Sequence, residues 1–535
     1  MIEIENLSFR YKYANRPALN RINLKINKGE KILIAGKNGA GKTTLSKIIS
    51  GIIPNTESGS IEGRYLSGGR DTKEIKYSDF VRKTAVLFQD FESQLIATSV
   101  KEELVFYPVN IGTGYKQAEE KAAELCARFG TAGLLDRNIY ELSGGEKQKA
   151  ALLSLLTVNP EVLILDEPFT DIEPASRKFM MDFLTGPEYR GTLIIFEQSL
   201  DYFEYFDRVI ILKDGEIIYD GDKSIVQKRE MLSVAGLCAP GAYKIFREPD
   251  ADTIIKQYYF NAKAYEEITG RKKPEGEKII EAKNLSYTYD GAKTQTIDNA
   301  SFEIHKGDFI SVLGANGSGK TTLMKILAGI IKSQKGEIIR RDKEKDLSIG
   351  YVYQNPDNQI FAETVYDEIA FILRMRKLDD AAVKDKANEI MKTMGLDEKR
   401  QEDPFTLPKG DREKIACASI IVGEPEIIIL DEPTTGLDYP SLNELMSIIN
   451  GLNKKGHTIL MITHDMETAA QYSEKVMALS SGKIIFFGDK RKFFPERGLL
   501  EAARIERTQI MDLSLKLNSR MLLNEDEFMQ CWRKK

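Results

Sequence analysis

Residues 31–44 read KILIAGKNGAGKTT, and residues 309–322 read FISVLGANGSGKTT. Each stretch is a short apolar run, a glycine-rich loop of the form GxxxxGK[ST], and the start of a helical pattern. A phosphate-binding loop needs that order: the glycines let backbone N–H groups curl around phosphate oxygens, and the following helix turns the positive end of its dipole to the same anion. The first loop comprises Gly36, Lys37, Asn38, Gly39, Ala40, Gly41, Lys42 and Thr43, followed by Thr44. The second comprises Gly314, Ala315, Asn316, Gly317, Ser318, Gly319, Lys320 and Thr321, followed by Thr322. Lys42 and Lys320 are placed to reach the β- and γ-phosphates of ATP, and Thr43 and Thr321 to ligate Mg2+.

Working outward, the sequence is written twice. EIENLSFRY at 3–11 returns as EAKNLSYTY at 281–289, and VLILDEP at 162–168 returns as IIILDEP at 427–433. Gln89 to Asp166 spans 77 positions, as does Gln354 to Asp431, whereas Lys42 to Gln89 spans 47 and Lys320 to Gln354 only 34. A repeat of this length is a duplicated domain rather than a solenoid unit. Within each copy, apolar runs such as 31–35, 162–165 and 193–196 read as buried parallel strands. They alternate with helical patterns such as 117–129 and 144–156, which predicts an α/β core with a mostly parallel sheet. The expected boundaries are a first domain 1–222, a helical extension and linker 223–276, a second domain 277–490 and a helical tail 491–535.

Composition narrows the function. The 76 Lys and Arg against 81 Asp and Glu give a net charge of −5, which argues against a protein built to coat nucleic acid. No apolar run approaches the ~18 residues needed to cross a bilayer. MIEIENLSFRYKY has no apolar stretch of the signal-peptide kind, so a soluble, unexported chain is expected. Cys126, Cys238, Cys417 and Cys531 are far apart with no CxxC pair, which disfavours a disulfide framework or an iron–sulfur or zinc site.

Asp166-Glu167 and Asp431-Glu432 each end an apolar strand. Beside a phosphate loop, such an Asp suits magnesium and the adjacent Glu can polarise an attacking water. Between loop and Asp-Glu the first copy carries LSGGEKQ, residues 142–148, whose Ser143, Gly144, Gly145 and Glu146 open a helix. A hydroxyl and free N–H groups at that helix start can receive a second nucleotide's γ-phosphate. With this motif the chain resembles the ATP-binding cassette (ABC) ATPases over nearly all of both copies. The resemblance implies tandem P-loop NTPase domains, each with an antiparallel β subdomain and a helical signature subdomain beside the parallel core. It implies that Gln89 and Gln354 are Q-loop glutamines sensing magnesium and water, and that Tyr11 and Tyr289 stack on adenine. A second LSGG, at 66–69, lies before Gln89 and reads as a plain turn.

The copies differ where the family does its chemistry. Gln354 to Leu407 matches Gln89 to Leu142 at 53 positions, so the second signature reads LPKGDRE. Pro408 removes a hydroxyl and a backbone donor, and Lys409 replaces a glycine. The family's switch histidine falls on His464, whereas the first copy offers Gln198. The D-loop aspartate falls on Asp438, against Glu173. The family builds each site from one domain's P-loop and the other's signature, so head-to-tail pairing of the two domains is implied. Lys320, Gln354, Glu432 and His464 would then face the intact signature. Lys42, Glu167 and Gln198 would face the degenerate one.

Two classes compete: the ATPase of an importer, and a soluble tandem ABC ATPase acting on ribosomes or nucleic acid. The short linker, degenerate signature and lack of cysteine clusters favour the importer. YQNPDNQIFAETVYDEIAF at 353–371 resembles the Q-loop segment of energy-coupling factor (ECF) transporters, and FQDFESQLIATSVKEELVF at 88–106 is a looser version. That resemblance implies a peripheral protein on the cytoplasmic face of the membrane. Its partners would be an integral coupling protein and a substrate-binding membrane protein, with no nucleic acid. The cargo class would be vitamin-like molecules or metal ions. Asp357, Glu363, Asp367 and Glu368, with Glu92, Glu102 and Glu103 in the first copy, are expected to form acidic grooves for basic coupling helices.

Overall fold

The computed structural model describes residues 1–169, 172, 174–246, 249–270, 276–291, 294–341, 348–518 and 520–535. Two compact units result, Met1–Pro240 and Gly241–Lys535.

The first unit holds a six-stranded sheet in the order Glu216–Gly221, Arg208–Lys213, Lys31–Ala35, Thr192–Glu197, Val162–Asp166, Thr84–Leu87. Only the edge strand Glu216–Gly221 runs antiparallel to its neighbour. A smaller antiparallel sheet is built from Leu19–Ile26, Ile2–Tyr11, Gly59–Ser67 and Arg70–Asp71. The second LSGG closes the hairpin between the last two, with Gly68 and Gly69 at φ +60° and +82°.

The second unit repeats the plan. Its sheet runs Ile349–Val352, Ile427–Asp431, Thr458–Ile462, Phe309–Gly314, Lys475–Ser480, Lys483–Asp489, again with one antiparallel edge. Residues alternate between the two faces of each strand, and both faces are covered, so the strands read as continuous apolar runs. Ile310, Val312, Ile427 and Ile429 pack with Leu323 and Leu327 of the P-loop helix and with the antiparallel sheet at Leu285, Ile297 and Phe302. Phe309, Ile428 and Leu430 face the other way, onto Ile369, Ala387, Ile415 and Ile449 of the helical layer. Each fully buried Ile or Leu contributes ~1.5–3 kcal/mol.

The helices before the Asp-Glu strand form the signature subdomain. They are Val100–Asn110, Tyr115–Arg128 and Gly144–Leu156 in the first unit, and Val365–Met375, Asp380–Thr393 and Lys409–Ile421 in the second.

The segment expected to be one linker is divided. Lys223–Gln227 and Arg229–Val234 belong to the first unit. From Gly241 onward the chain builds a small module with the tail: strand Tyr258–Phe260 pairs antiparallel with Trp532–Lys534. Phe246 and Ile254 from the connecting side share a core with Ile510, Leu522, Phe528 and Trp532. No motif announced this, because the two halves lie more than 250 residues apart and each is too short to bury a core alone.

Candidate active site

Each P-loop leaves a strand flanked on both sides by parallel neighbours, at its carboxyl end, where open parallel sheets hold ligands. Gly41 and Gly319 precede the helices Lys42–Ile49 and Lys320–Ala328, both at φ +100°, and no side chain caps either helix. The first-turn N–H groups are thereby left for an outside acceptor. A Cβ on Gly41 would lie 2.7 Å from the carbonyl oxygen of Ala18, and on Gly319 2.6 Å from that of Thr296, so only glycine fits. Lys42 Nζ donates to the carbonyls of Gly36 (2.7 Å) and Lys37 (3.2 Å). Lys320 Nζ does the same to Gly314 (2.8 Å) and Ala315 (3.0 Å), so each ammonium folds back across its own loop.

Asp166 and Asp431 end their strands almost fully buried. Glu167 and Glu432 follow at φ +51° and +52°, left-handed values that non-glycine residues rarely adopt. Their N–H groups donate to Phe196 O (2.9 Å) and Ile462 O (3.0 Å) on the neighbouring strand, which holds the strained turn. Strain held this way is characteristic of functional sites.

In the second unit, Gln354 Nε2 donates to Glu432 Oε2 at 3.1 Å and His464 Nε2 lies 3.2 Å from Glu432 Oε1. Burial works against ionising Glu432, but His464 and the charge of Lys320 outweigh it and hold the carboxyl below its usual range. In the first unit, Gln89 and Gln198 both donate to Glu167 Oε2, at 2.8 and 2.7 Å, and Lys42 Nζ lies 3.7 Å from Oε1. Glu197, half-buried, stands where the second unit has Thr463. Burial, then the charge of Glu167, pushes its carboxyl well up.

The oxygens available fit Mg2+, a hard cation that takes oxygen ligands. Thr321 Oγ1 sits 3.2 Å from Asp431 Oδ1. Among the described residues neither oxygen of buried Asp166 has a hydrogen-bond partner. Burial and then Glu167 push Asp166 up to about 6, and burial and the charge of Glu432 also raise Asp431. Mg2+ held by Thr43 and Asp166, or by Thr321 and Asp431, would neutralise phosphate charge. Gln89 and Gln354 approach the glutamates through their amide nitrogens.

Ser143 caps helix Gly144–Leu156 in a capping box: its Oγ accepts from Glu146 N, and Glu146 Oε2 accepts from Ser143 N at 2.9 Å. At the equivalent Pro408 no side-chain cap exists. Tyr11 OH lies 3.2 Å from Thr44 Oγ1 and Tyr289 OH 3.3 Å from Thr322 Oγ1, which sets both rings beside the P-loop helices. Asp438 caps helix Tyr439–Lys454 through Ser441 N, whereas Glu173 lies outside the described residues.

Of the seven carboxylates expected to line acidic grooves, Glu103 and Glu368 are buried, whereas Glu102 and Glu363 are exposed. Glu368 is 3% exposed and accepts from Phe361 N and Ala362 N, and Glu103 accepts from Ile96 N and Ala97 N, so both hold the Q-loop in shape. Asp367 pairs with Arg374, Asp357 with Arg412, and Glu92 with Lys147. The second unit also exposes apolar groups here: Phe361 against Phe371, centroids 4.7 Å apart, and Met375. Ile96 and Phe106 occupy the matching places in the first unit.

Motif reading also missed Tyr351, whose hydroxyl donates to Asp431 Oδ2 at 2.7 Å. The signal was present in the alignment of the copies, as Tyr351 opposite Val86.

A family model described as ABC transporter matches residues 19–170 and 297–435. A Caldanaerobacter subterraneus subsp. tengcongensis protein, named as an ABC transporter ATP-binding protein, is 36% identical over 564 aligned positions, covering 100% of this chain and 99% of its own. CbiO1 of Clostridium perfringens, described as part of the ABC transporter complex CbiONQ, is 29% identical over 42% of this chain and 94% of its own, with TM-score 0.38. The archaeal ribosome recycling factor aABCE1 covers 91% of this chain and 90% of its own at TM-score 0.60 and 22% identity, a likeness of fold alone. Each matched segment contains a complete P-loop and its Asp-Glu strand end, and the chain belongs to the ABC transporter ATPase family as a tandem-domain member.

Proposed function

We propose that this chain is the ATP-hydrolysing subunit of an importer of the ECF type, acting as a peripheral protein on the cytoplasmic face of the membrane. It would couple ATP binding and hydrolysis to uptake of a vitamin-like molecule or metal ion through an integral coupling protein and a substrate-binding membrane protein. The observation that carries this reading is the Q-loop segment. Its sequence at 353–371 resembles that of ECF ATPases, and Phe361, Phe371 and Met375 there are exposed apolar groups with no core to fill. Exposed aromatics grouped on a polar surface suit a protein partner.

In the catalytic step, Glu432 is the base that polarises water. It stays ionised beside His464 and Lys320, and Gln354 holds its second oxygen. His464 then supplies a donor for γ-phosphate charge as the bond breaks. In the head-to-tail pairing proposed for the domains, Ser143 and the following glycines complete this site. The other site meets Pro408 and Lys409 and is assigned to ATP binding with little turnover.

The test is affinity purification from membranes of the source cell with identification of bound proteins, followed by reconstitution. Two integral membrane proteins that restore ATP-dependent uptake are expected. A stable ribosomal or DNA complex without them would overturn the proposal in favour of the soluble class.

A further inference from the structure

We infer that Tyr351 is a positioning residue for the magnesium carboxylate of the second ATP site. The inference rests on the reading of Asp431 as that carboxylate. Tyr351 lies on the strand Ile349–Val352, hydrogen-bonded in parallel to Ile427–Asp431, so its ring comes up beside the strand that ends in Asp431. The side chain is 6% exposed and packs edge-on against Tyr353, ring centroids 5.0 Å apart. That hydroxyl donates to Oδ2 of Asp431 at 2.7 Å, while Thr321 Oγ1 lies 3.2 Å from Oδ1. The two oxygens are thus divided: one is held by tyrosine, and the other is kept towards the threonine with which it would share a cation. A free carboxylate must stop rotating before it can do this, and the tyrosine removes that freedom beforehand.

The first unit is the built-in comparison. Val86 stands where Tyr351 stands, and both oxygens of Asp166 lack a hydrogen-bond partner among the described residues. The two sites therefore differ at the metal as well as at the switch residue and the signature. Val86 is partly buried and packs against the core of the first unit.

The test uses the full-length chain with Glu432→Gln, so that ATP stays uncleaved, and Lys42→Ala, so that only the second P-loop is loaded. Mn2+ is titrated into the ATP complex and followed by its EPR signal. Tyr351→Phe keeps the ring and is expected to weaken Mn2+ by about tenfold, the scale of one hydrogen bond to a charged group, with the melting temperature little changed. Affinity within about twofold of the parent would overturn the inference, because a purely structural hydroxyl would move stability and not the metal. Asp431→Asn is run alongside: if it leaves Mn2+ affinity unchanged, the assignment of Asp431 itself fails. If Tyr351→Phe does not fold, Val86→Tyr with Lys320→Ala in place of Lys42→Ala decides. Tighter Mn2+ at the first site is expected, and no change would overturn the inference.

Discussion

Gln198 Nε2 donates to Glu167 Oε2 over 2.7 Å, in the place where the second unit sets His464 Nε2 3.2 Å from Glu432 Oε1. An amide and an imidazole fill the same corner with different consequences. The amide is neutral at every pH and shares Oε2 with Gln89, so the carboxylate's second oxygen already accepts two donors. The imidazole can carry charge and leaves Gln354 to hold the opposite oxygen.

Glu413, on the degenerate signature helix, is expected to make the protein less stable as pH rises. It is fully buried, neither oxygen has a hydrogen-bond partner among the described residues, and burial pushes its carboxyl up to about 8 despite Lys409 and Arg412 nearby. The unfolded chain releases this proton near pH ~4.3, so between there and about 8 the folded state keeps a proton that the unfolded state has lost. Stability is therefore complete below the lower value and falls by up to ~1.4 kcal/mol per pH unit towards the upper one. The first unit has Gln148 at this buried position. Glu413→Gln should flatten the fall in melting temperature between pH 6 and 8 and raise the value at pH 8. An unchanged slope would show that Glu413 is not the group responsible.

Both P-loops, the Asp-Glu strand ends and the parallel sheet were legible because each rests on local sequence: glycine spacing, buried apolar runs and a carboxylate at a strand end. The roles of Glu103 and Glu368 were not. An acidic residue near the surface of a pattern reads as solvated, and only the folded loop brings the N–H pairs of 96–97 and 361–362 to those carboxylates. Tyr351 was hidden for a related reason. In a strand sequence a tyrosine reads as core, and its acceptor lies 80 residues away on the next strand.

Membrane-partner binding should depend on apolar contact more than on charge. Phe361→Ala with Phe371→Ala removes the exposed aromatic pair and is expected to lose the partner at least about tenfold in affinity, since buried aromatic anchors at interfaces commonly contribute 2 kcal/mol or more. Asp367→Asn loses an ion pair with Arg374 on a half-exposed helix turn and should change partner affinity little. Glu368→Gln should lower thermal stability instead, because its carboxylate holds Phe361 N and Ala362 N. Co-purification yields with ATP binding as control separate these outcomes. Loss of the partner from Asp367→Asn alone would restore the electrostatic account.

The module that joins the connecting segment to the tail should unfold as part of the second unit. Trp532 is the only tryptophan of the chain and stacks on Phe528, so its fluorescence reports this module alone. Phe528→Ala opens a cavity between Phe246 and Trp532 and is expected to cost ~3–5 kcal/mol. The tryptophan emission should then shift to the red at lower denaturant concentration. If the emission midpoint stays where it was, the module's core is not what holds the tail.

Hydrolysis should be nearly one-sided although both P-loops bind ATP. Each loop folds its lysine over its own carbonyls and leaves its helix uncapped, so neither site lacks a phosphate cradle. The sites part at the water. Glu432 stays ionised beside His464, whereas Glu167 has the neutral Gln198 in that corner and the half-buried Glu197 close by. With no imidazole to donate to the γ-phosphate, the first site lacks an aligned donor that the transition state needs. Each missing donor costs ~2.7–4 kcal/mol, about a hundredfold or more in rate. Glu432→Gln should therefore abolish nearly all turnover while ATP still binds, and Glu167→Gln should leave most of it. Replacing Gln198 with His should not raise turnover at the first site appreciably, since Pro408 still withholds a donor in the proposed pairing. Steady-state ATPase rates of the three single variants in the assembled complex measure this. Equal, large losses from Glu432→Gln and Glu167→Gln would show that both sites fire, and the asymmetry at Gln198 and His464 would then need a role other than chemistry.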